Sequence, residues 1–277
     1  MTFGGDFVMT DSDFNFIRKE VYGICGIVLG DHKKQMVYSR LTRRIRALNL
    51  RSFSDYIGYL KNHKEAELSE FVNAITTNLT SFFRENHHFD FLKAEAMQAL
   101  LKENRSSRKI RAWSAGCSTG EEPYSILMTI MDVLPKSGWD FKLLATDLDS
   151  NVLAKAAAGV YNLEQVQELP ESYQRRWFTR VADSQRQPQC EVRDELKAFA
   201  HFKRLNLLAQ WPMKGPFDII FCRNVLIYFD QQTKDKLIDR YAKLLRPGGY
   251  LFIGHSESMK RDHGVFDSLG HTIYRKK

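Results

Sequence analysis

The first part of the chain carries apolar side chains at the spacing of a helix rather than a strand. Four of them recur at intervals of four, four and three residues and form one stripe: Val37, Leu41, Ile45 and Leu48. They predict a helix over residues 31–48 with Asp31 as its N-cap, and a second helix begins after Ser52. A third follows in KEAELSEFVNAITTN, and no proline precedes Pro123. We therefore expect residues 1–85 to form an all-helical domain.

After a linker helix over residues 86–108, short apolar runs alternate with helical patterns. Strands are predicted in KIRAWSAG, FKLLATDLD, PFDIIFCRN and GGYLFIGHS. Helices lie between them in EEPYSILMTIMDVL, in NVLAKAAAG, which Gly159 closes, and in QQTKDKLIDRYAKLLRPGG. This alternation predicts an α/β domain over residues 109–277, built on a doubly wound parallel sheet. The final stretch, HTIYRKK, is a further strand candidate for the edge of that sheet.

The alternation breaks at residues 165–203. A polar stretch, ADSQRQPQCEVRDE, separates two apolar pieces there. We expect a small inserted subdomain, formed by a short antiparallel unit.

Composition limits the class of protein. With 277 residues, 43% of them hydrophobic, the chain is long enough to bury a core. The four cysteines lie far apart, without a CxxC pair or a Cys/His cluster, so we expect neither disulfides nor a metal. The N-terminus lacks the pattern of a signal peptide and no run is long enough to span a bilayer, which predicts a soluble cytoplasmic protein. The net charge of +8 indicates an acidic partner without identifying it.

The stretch WSAGCSTGEEPYS follows the first predicted strand, where open parallel sheets bind ligands. Gly116 and Gly120 allow the backbone to approach a ligand closely. The stretch lacks the G-x-G-x-x-G spacing of dinucleotide sites, and Glu121 and Glu122 would repel a pyrophosphate. These carboxylates suit the ammonium or sulfonium of S-adenosylmethionine, and Asp147 is placed to bind ribose hydroxyls. The alternative is that both acids only stabilise the N-terminus of the following helix.

Several motifs, in order along nearly the whole chain, resemble those of the CheR family of chemotaxis receptor methyltransferases. They are TNLTSFFRE, WSAGCSTGEEPYS, ATDLD, LNLL, DIIFCRNVLIYF and LLRPGGYLFIGHSES. The resemblance implies a helical N-terminal domain and a class I S-adenosylmethionine-dependent methyltransferase domain, Rossmann-like with an antiparallel edge strand. It also implies an inserted β-subdomain and methyl esterification of glutamates in the cytoplasmic helices of methyl-accepting receptors. The product of the cofactor would be S-adenosylhomocysteine.

The resemblance also assigns residues to a cofactor pocket: Asn78, Thr80, Arg84, Gly116, Glu121, Glu122, Asp147, Asn206, Leu207, Arg223 and Asn224. Glu122 is expected to bind the methionine amino group, although Glu121 remains an alternative. Asp147 is expected to hold the ribose, and the LNLL segment to line the adenine. Arg84 and Tyr228 are the candidate catalytic residues, Arg84 orienting the incoming carboxylate. Without the resemblance, Tyr228 is interpreted as an apolar contact of a helix face.

The basic residues of the second predicted helix then become candidates for receptor binding, since receptor methylation helices are acidic: Arg40, Arg43, Arg44 and Arg46. The alternative is an ordinary solvated helix face. Some family members also bind a peptide tether at the receptor C-terminus through a short, glycine-containing turn of the β-subdomain. The corresponding stretch here, VADSQRQPQCEV, is longer and lacks glycine, so we expect no C-terminal pentapeptide tether.

Other functions are compatible with parts of the sequence. A nucleic-acid methyltransferase would suit the positive charge, but the chain has CRNVLIYF where amino-methylating enzymes have an Asp/Asn-Pro-Pro-aromatic turn. We expect no nucleic-acid partner, and RNA methylation and a non-catalytic adaptor remain the alternatives. The segment GHSES is not a G-x-S-x-G nucleophile elbow and is interpreted as a strand end.

Overall fold

The computed structural model of the chain describes residues 7–181, 188–259 and 264–277. Its N-terminal part contains α1 (Asp11–Cys25), α2 (Lys34–Ala47), α3 (Phe53–Asn62) and α4 (Lys64–Ile75). The apolar stripes of these helices meet in one core, which confirms the all-helical prediction. Ser52 caps α3 as predicted, because its Oγ accepts a hydrogen bond from the Asp55 amide at 3.0 Å. The predicted N-cap Asp31 is wrong, since Asp31–Lys33 form a 3-10 turn before α2 begins.

One helical run connects this domain to the sheet. It consists of α5 (His87–Phe91), a π-helical turn (Leu92–Ala96) and α6 (Met97–Glu103). Its apolar face packs on one side of the sheet, together with residues of the first strand and the helix that follows it.

The remaining elements are, in order, β1 (Lys109–Ala115), α7 (Glu121–Met131), β2 (Asp140–Asp147), α8 (Ser150–Ala158), β3 (Val160–Asn162), α9 (Leu163–Gln167), α10 (Glu171–Trp177), β4 (Phe178–Val181), β5 (Gln189–Val192), α11 (Asp194–Lys197), β6 (Ala200–Arg204), β7 (Phe217–Cys222), α12 (Gln231–Leu244), β8 (Leu245–Ile253), β9 (Phe266–Gly270) and β10 (Ile273–Lys276). Gly159 ends α8 with φ +65°, as predicted.

Seven strands form the main sheet, in the order β6-β2-β1-β7-β8-β10-β9. The first five are parallel, and β10 pairs antiparallel with both β8 and β9. Alternate residues of β1 enter different cores: Ala112 packs toward the linker helix and α7, whereas Trp113 packs toward α12. Helices therefore cover both faces, which confirms the doubly wound fold.

The inserted unit is present, but its predicted boundaries are wrong at both ends. It is a three-stranded antiparallel sheet in the order β3-β5-β4, and it begins at Val160 rather than near residue 165. Residues Ala200–Arg204 belong to the main sheet instead, as β6 beside β2. Because the sequence around this strand is polar, its pattern did not predict a strand of the main sheet. The stretch discussed for tether binding includes residues 182–187, which lie outside the described residues.

The C-terminal strands also differ from expectation. HTIYRKK does supply a strand, but β10 lies inside the sheet, and the outermost strand on that side is β9. Only the first residue of β9, Phe266, is buried, so the segment lacks the alternating pattern by which a half-buried strand is recognised.

The helical domain packs against the sheet domain through direct hydrogen bonds. Nδ2 of the Asn206 side chain donates to the Ile24 carbonyl at 2.7 Å, and the backbone amide of Val28 donates to the Tyr228 carbonyl at 2.8 Å. On the other side, Thr76 Oγ1 donates to the Asp149 carboxylate at 2.8 Å. These contacts surround the carboxyl ends of the strands, so the helical domain forms one wall of whatever site lies there.

Candidate active site

A cleft of about 300 Å³ lies between the two domains, at the carboxyl ends of the parallel strands. Its walls include residues that follow β1, β2, β6 and β7, together with Cys25, Lys33 and Met36 of the helical domain. The cleft brings together eleven of the residues proposed from sequence: Asn78, Thr80, Arg84, Gly116, Glu122, Asp147, Asn206, Leu207, Arg223, Asn224 and Tyr228. Glu121 is not among the residues of the wall.

The turn after β1 forms the floor of the cleft. Gly116 has φ +96°, and a Cβ there would lie 2.3 Å from Cγ2 of Val225, so only glycine fits. Gly120, with φ +99°, precedes α7 directly. Between them, the Ser118 amide donates to Oδ2 of Asp147 at 2.8 Å and joins the turn to the end of β2. The backbone can therefore approach a ligand closely at this turn.

The structure separates the two adjacent acids. Glu122 lines the cleft, where Oε1 accepts a hydrogen bond from Ser114 Oγ at 2.7 Å and Oε2 lies 3.3 Å from Arg223 Nη1. Glu121 instead bonds Thr119 Oγ1 at 2.6 Å and Gln165 Nε2 at 3.3 Å, outside the wall of the cleft. Burial raises the pKa of Glu122, and the charge of Arg223 opposes that rise.

Arg223 is the buried cation of the site, with a side chain only 1% exposed. Its guanidinium lies between Glu122 and Glu85, with Nη2 at 3.2 Å from Oε2 of Glu85. It also donates to the Arg84 carbonyl and packs over the ring of Phe89. Arg223 was assigned from sequence to the cofactor pocket, and it lines the cleft. Its Nη1 and Nη2 contact oxygens of the protein, whereas Nε has no hydrogen-bond partner among the described residues.

Glu85, which the sequence analysis did not single out, anchors the loop after β7. Its Oε1 accepts hydrogen bonds from His255 Nδ1 at 2.7 Å and Asn224 Nδ2 at 3.2 Å. Burial would raise the pKa of Glu85, but the His255 hydrogen bond and the charge of Arg223 outweigh it and lower that pKa to about 2. The sequence contained a sign of this role, because Glu85 is the charged last residue of the motif TNLTSFFRE.

Glu257 is a second anchor that the sequence analysis missed, because GHSES was interpreted only as a strand end. Its buried carboxylate accepts from three backbone amides: Gly254 at 2.6 Å, Asn224 at 3.1 Å and Ile227 at 3.1 Å. Asn224 has φ +58°, in the left-handed region that asparagine adopts more readily than most residues other than glycine. Glu257 therefore holds the loop that carries Asn224 and Tyr228 into the cleft.

Asn78 connects the linker to the sheet domain. Its Nδ2 donates to the Asp149 carboxylate at 2.8 Å, and its carbonyl accepts from Ser118 Oγ at 3.0 Å. Asp147, at the end of β2, accepts from the amides of Ser118 and Asp149 and still has free acceptor capacity toward the cleft. The Asn206 side chain is similarly engaged, by the Ile24 carbonyl and by the Leu208 amide.

Arg84 and Tyr228 both line the cleft and are partly exposed. Arg84 Nη1 donates to the Leu79 carbonyl at 3.0 Å, which leaves the other guanidinium donors available. Partial burial raises the pKa of Tyr228, and the positive charges of Arg40 and Arg84 oppose that rise. The phenol is therefore protonated at neutral pH and can donate a hydrogen bond.

The four basic residues of α2 do not form one exposed face. Arg44 makes a bidentate pair with the buried carboxylate of Glu67, at 2.8 Å and 2.5 Å, and Tyr56 donates to the same carboxylate. Arg40 donates twice, at 2.6 Å, to carbonyls at the C-terminus of α4. Arg43 is exposed, and the guanidinium of Arg46, which is also exposed, lies 5.9 Å from the ring centroid of Phe7. Arg40 and Arg44 thus stabilise the helical domain.

Three potential metal ligands approach one another near the cleft. Ligand atoms of Glu85, His87 and His88 lie within 4.8 Å of one another. Arg223 lies against the same Glu85 carboxylate, and burial together with this positive charge lowers the pKa of His88 to about 4. The Glu85 carboxylate is already held by Arg223, His255 and Asn224, and His88 Nε2 bonds the His271 carbonyl, so we assign no metal here.

The donor groups in the wall fit S-adenosylmethionine. The Glu122 carboxylate suits the cationic methionine portion, the Asp147 carboxylate suits ribose hydroxyls, and the side chain of Leu207 offers apolar surface to the adenine. The floor at Gly116 has no room for a side chain, and carboxylates occupy the first turn of α7, where a phosphate would need free amides.

Comparison with known proteins supports this assignment. The family profile "CheR methyltransferase, all-alpha domain" matches residues 12–76, and "CheR methyltransferase, SAM binding domain" matches residues 78–275. The chain is 44% identical to the chemotaxis protein methyltransferase of Escherichia coli K12, over 96% of this chain and 91% of that protein. It is 43% identical to chemotaxis protein methyltransferase 2 of Pseudomonas aeruginosa, over 97% and 94%. A probable chemotaxis protein methyltransferase of Rhizobium etli is also 43% identical, over 92% and 96%.

Within the described residues, every helix is too short or too polar to cross a membrane.

Proposed function

This chain belongs to the CheR family of S-adenosylmethionine-dependent chemotaxis protein methyltransferases, and we propose that it methylates glutamate carboxylates on the helical cytoplasmic region of methyl-accepting receptors. The product is a glutamate γ-methyl ester. We further propose that the enzyme is recruited to membrane receptor arrays through its substrate, without a C-terminal pentapeptide tether.

The observation that carries this proposal is the set of titratable groups in the cleft. Among the described residues of its wall there is no histidine, and the carboxylates present, Glu122 and Asp147, are already held by Arg223 and by backbone amides. The site therefore offers no obvious general base. A hydroxyl or protonated amine would need one, whereas a glutamate is already ionised at neutral pH, with an ordinary pKa of about 4.3.

S-adenosylmethionine, when bound, supplies an electrophilic methyl group on a sulfonium cation. The residues of the chain then have two tasks: Glu122 and Asp147 bind and orient the cofactor, and the loop held by Glu257 brings Tyr228 beside the reacting groups. Alignment and exclusion of water favour this reaction, because an anion and a cation neutralise each other as the new bond forms.

Arg84 is our candidate for orienting the incoming carboxylate. Its guanidinium lines the cleft and is partly exposed, and it retains donors that the protein does not use. An arginine can bind a carboxylate through two parallel hydrogen bonds, which fixes the direction of attack as well as the position. The protonated Tyr228 can donate a further hydrogen bond to the same carboxylate.

The direct test is transfer of labelled methyl from S-adenosylmethionine to a receptor cytoplasmic fragment, followed by mild base. Label that is released by base, and that disappears when the target glutamates are changed to alanine, supports a carboxyl methyl ester. Label that resists base contradicts it. Transfer to bulk RNA with a steep salt dependence would instead favour an RNA methyltransferase. Tight cofactor binding without transfer to any receptor fragment would favour a non-catalytic adaptor.

A further inference from the structure

Leu207, which lines the cleft, belongs to a loop between β6 and β7. We call residues 205–211 the Leu207 loop. The Leu207 carbonyl accepts two hydrogen bonds, from Nη1 of Arg240 at 2.5 Å and from Nε1 of Trp211 at 3.1 Å. Nη2 of the same guanidinium donates to the Ala209 carbonyl at 2.6 Å. One arginine of α12 therefore binds two carbonyls of this loop.

The guanidinium of Arg240 is itself held by an aromatic stack. Its Cζ lies 3.7 Å from the ring centroid of Trp211, and Trp211 stacks on Tyr241 with centroids 5.2 Å apart. Tyr241 is fully buried and donates to Cys222 Sγ, at the end of β7, at 3.2 Å. An arginine that lies over an aromatic ring and donates to two carbonyls is held in one conformation. Arg240 therefore fixes the Leu207 loop against a rigid part of the sheet domain.

The helical domain holds the same loop from a second direction. Nδ2 of Asn206 donates to the Ile24 carbonyl at 2.7 Å, and Oδ1 of Asn206 accepts from the Leu208 amide at 2.9 Å. Gly26, with φ +70°, ends α1, and a Cβ there would lie 2.4 Å from Cδ1 of Leu208. Contacts from both domains therefore surround Leu207 in the chain.

The peptide group between Asn206 and Leu207 has one unused hydrogen-bonding group. Its carbonyl accepts from the Ala209 amide at 3.0 Å, whereas its N–H, the Leu207 amide, has no hydrogen-bond partner within the described residues. Such an amide in the wall of a cleft can donate to a ring nitrogen of adenine, which the LNLL segment is expected to line. It does so with less loss of entropy when the loop is already held in place.

We propose that Arg240 is a positioning residue for the cofactor: it holds the Leu207 loop in the arrangement in which the backbone of Leu207 binds adenine. Arg240 is not among the described residues of the cleft wall, so it acts only through the loop. The proposal concerns cofactor binding and does not depend on which substrate receives the methyl group. A purely structural arginine would instead affect stability without a preference for one end of the cofactor.

The experiment measures binding of S-adenosylhomocysteine and of methylthioadenosine, which keeps the adenine and the ribose but lacks the amino-acid portion. Arg240→Met should raise both dissociation constants about tenfold, since the loss lies at the adenine end. Arg240→Lys should recover only part of this loss, because an ammonium lacks the planar fork that binds two carbonyls and lies over Trp211. In methyl transfer by Arg240→Met, KM for S-adenosylmethionine should rise about tenfold while kcat stays within about twofold.

Two variants serve as controls. Arg275 of β10 is a comparable arginine outside the described cleft wall: its Cζ lies 5.7 Å from the ring centroid of Tyr250, and its Nε donates to the Gly248 carbonyl at 3.3 Å. Arg275→Met should leave both dissociation constants within about twofold. Glu122→Gln should weaken binding of S-adenosylhomocysteine but not of methylthioadenosine, because Glu122 is assigned to the methionine portion.

Trp211 provides a spectroscopic signature of the loop. The chain has four tryptophans, so the indole N–H resonance of Trp211 can be assigned by comparison with Trp211→Phe in a proton–nitrogen correlation spectrum. This N–H donates to the Leu207 carbonyl, to which Arg240 also donates. In ligand-free Arg240→Met the resonance should broaden, because the loop samples several positions, and it should sharpen when S-adenosylhomocysteine saturates the site.

Several results would overturn the proposal. These are unchanged dissociation constants in a folded Arg240→Met protein, a loss confined to S-adenosylhomocysteine, an equal loss in Arg275→Met, and a Trp211 resonance as sharp as that of the wild type. Circular dichroism establishes that each variant is folded. If Arg240→Met does not fold, the same measurements on Arg240→Lys, which keeps the charge, decide between the outcomes.

Discussion

The guanidinium of Arg223 lies 3.3 Å from the carboxylate of Glu122, deep in the wall of the cleft. The same guanidinium lies 3.2 Å from Glu85, so one buried cation serves two anions from distant parts of the chain. One of these anions faces the cofactor region, and the other holds the loop after β7 through Asn224 and the segment after β8 through His255. The side chain of Arg223 therefore connects the cofactor region with the position of the loop after β7.

We expect Arg223→Ala to destabilise the protein by about 3 kcal/mol, because it leaves two carboxylates buried without their counter-ion. Urea denaturation followed by circular dichroism measures the change in the free energy of unfolding. Arg43→Ala removes an exposed arginine and should change that free energy by less than about 0.5 kcal/mol. A loss below about 1 kcal/mol for Arg223→Ala would show that the network is dispensable.

The adjacent acids provide a matched pair for cofactor binding. Glu122→Gln should weaken binding of S-adenosylmethionine by about 10–100-fold, because it removes the charge that faces the cleft. Glu121→Gln should change the affinity less than about threefold, since that carboxylate bonds Thr119 and Gln165 instead. Isothermal titration calorimetry measures both. Equal losses in the two variants would contradict the assignment of Glu122.

Arg84→Ala should lower turnover on the receptor fragment by about 100-fold while the cofactor affinity stays within about threefold, because Arg84 is expected to act on the incoming carboxylate. Arg84→Lys should recover only part of the activity, since an ammonium cannot bind a carboxylate through two parallel hydrogen bonds. Single-turnover methyl transfer measures the reaction separately from product release. Unchanged turnover in Arg84→Ala would exclude this role.

Arg43 and Arg44 are consecutive residues of α2, but they should respond differently to charge reversal. Arg43→Glu should raise KM for the receptor fragment and reduce the dependence of methylation on salt, without altering the fold or cofactor binding. Arg44→Glu should unfold the helical domain, because it places a second negative charge beside the buried Glu67. Circular dichroism and methyl transfer at several salt concentrations distinguish them. A folded, fully active Arg44→Glu protein would contradict the structure.

His88 should make stability depend on pH. Burial, with the charge of Arg223, lowers the pKa of His88 to about 4, and the neutral ring bonds the His271 carbonyl. Because the folded-state pKa lies below the unfolded value of about 6.5, this contribution is complete above pH 6.5 and is lost as the pH falls toward 4. Between about pH 7.5 and pH 5 the loss is about 2 kcal/mol.

The variant His88→Gln isolates this effect. Burial raises the pKa of Glu122 and Glu257, and these carboxylates act in the opposite direction over part of the same pH range. Therefore only the difference between wild type and variant in how the free energy of unfolding changes with pH reports on His88. Urea denaturation at both pH values should show that the variant loses about 2 kcal/mol less than the wild type. Parallel pH profiles would contradict a neutral, buried His88.

Features that depend on residues close together in the sequence could be predicted from the sequence. The four-residue recurrence of apolar side chains gave the helical domain, and the change to short apolar runs gave the doubly wound sheet. Ser52 and Gly159 were predicted because a cap acts on the nearest turn. The motifs also placed eleven residues in one cleft. Eight of them lie at or just after the carboxyl ends of parallel strands, which meet at the same edge of a sheet, whereas Asn78, Thr80 and Arg84 of the linker were assigned only through the resemblance.

Only the tertiary structure decided which side chains face the cleft. Consecutive residues at the start of a helix point in directions about 100° apart, so the sequence favoured Glu122 through the resemblance but could not exclude Glu121 until neighbouring elements were placed. Arg44 of α2 pairs with Glu67, which belongs to a different helix, α4. Glu257 bonds backbone amides of a loop that lies some thirty residues earlier in the chain. Periodicity and capping describe one turn or one pleat, whereas these contacts depend on how distant elements pack.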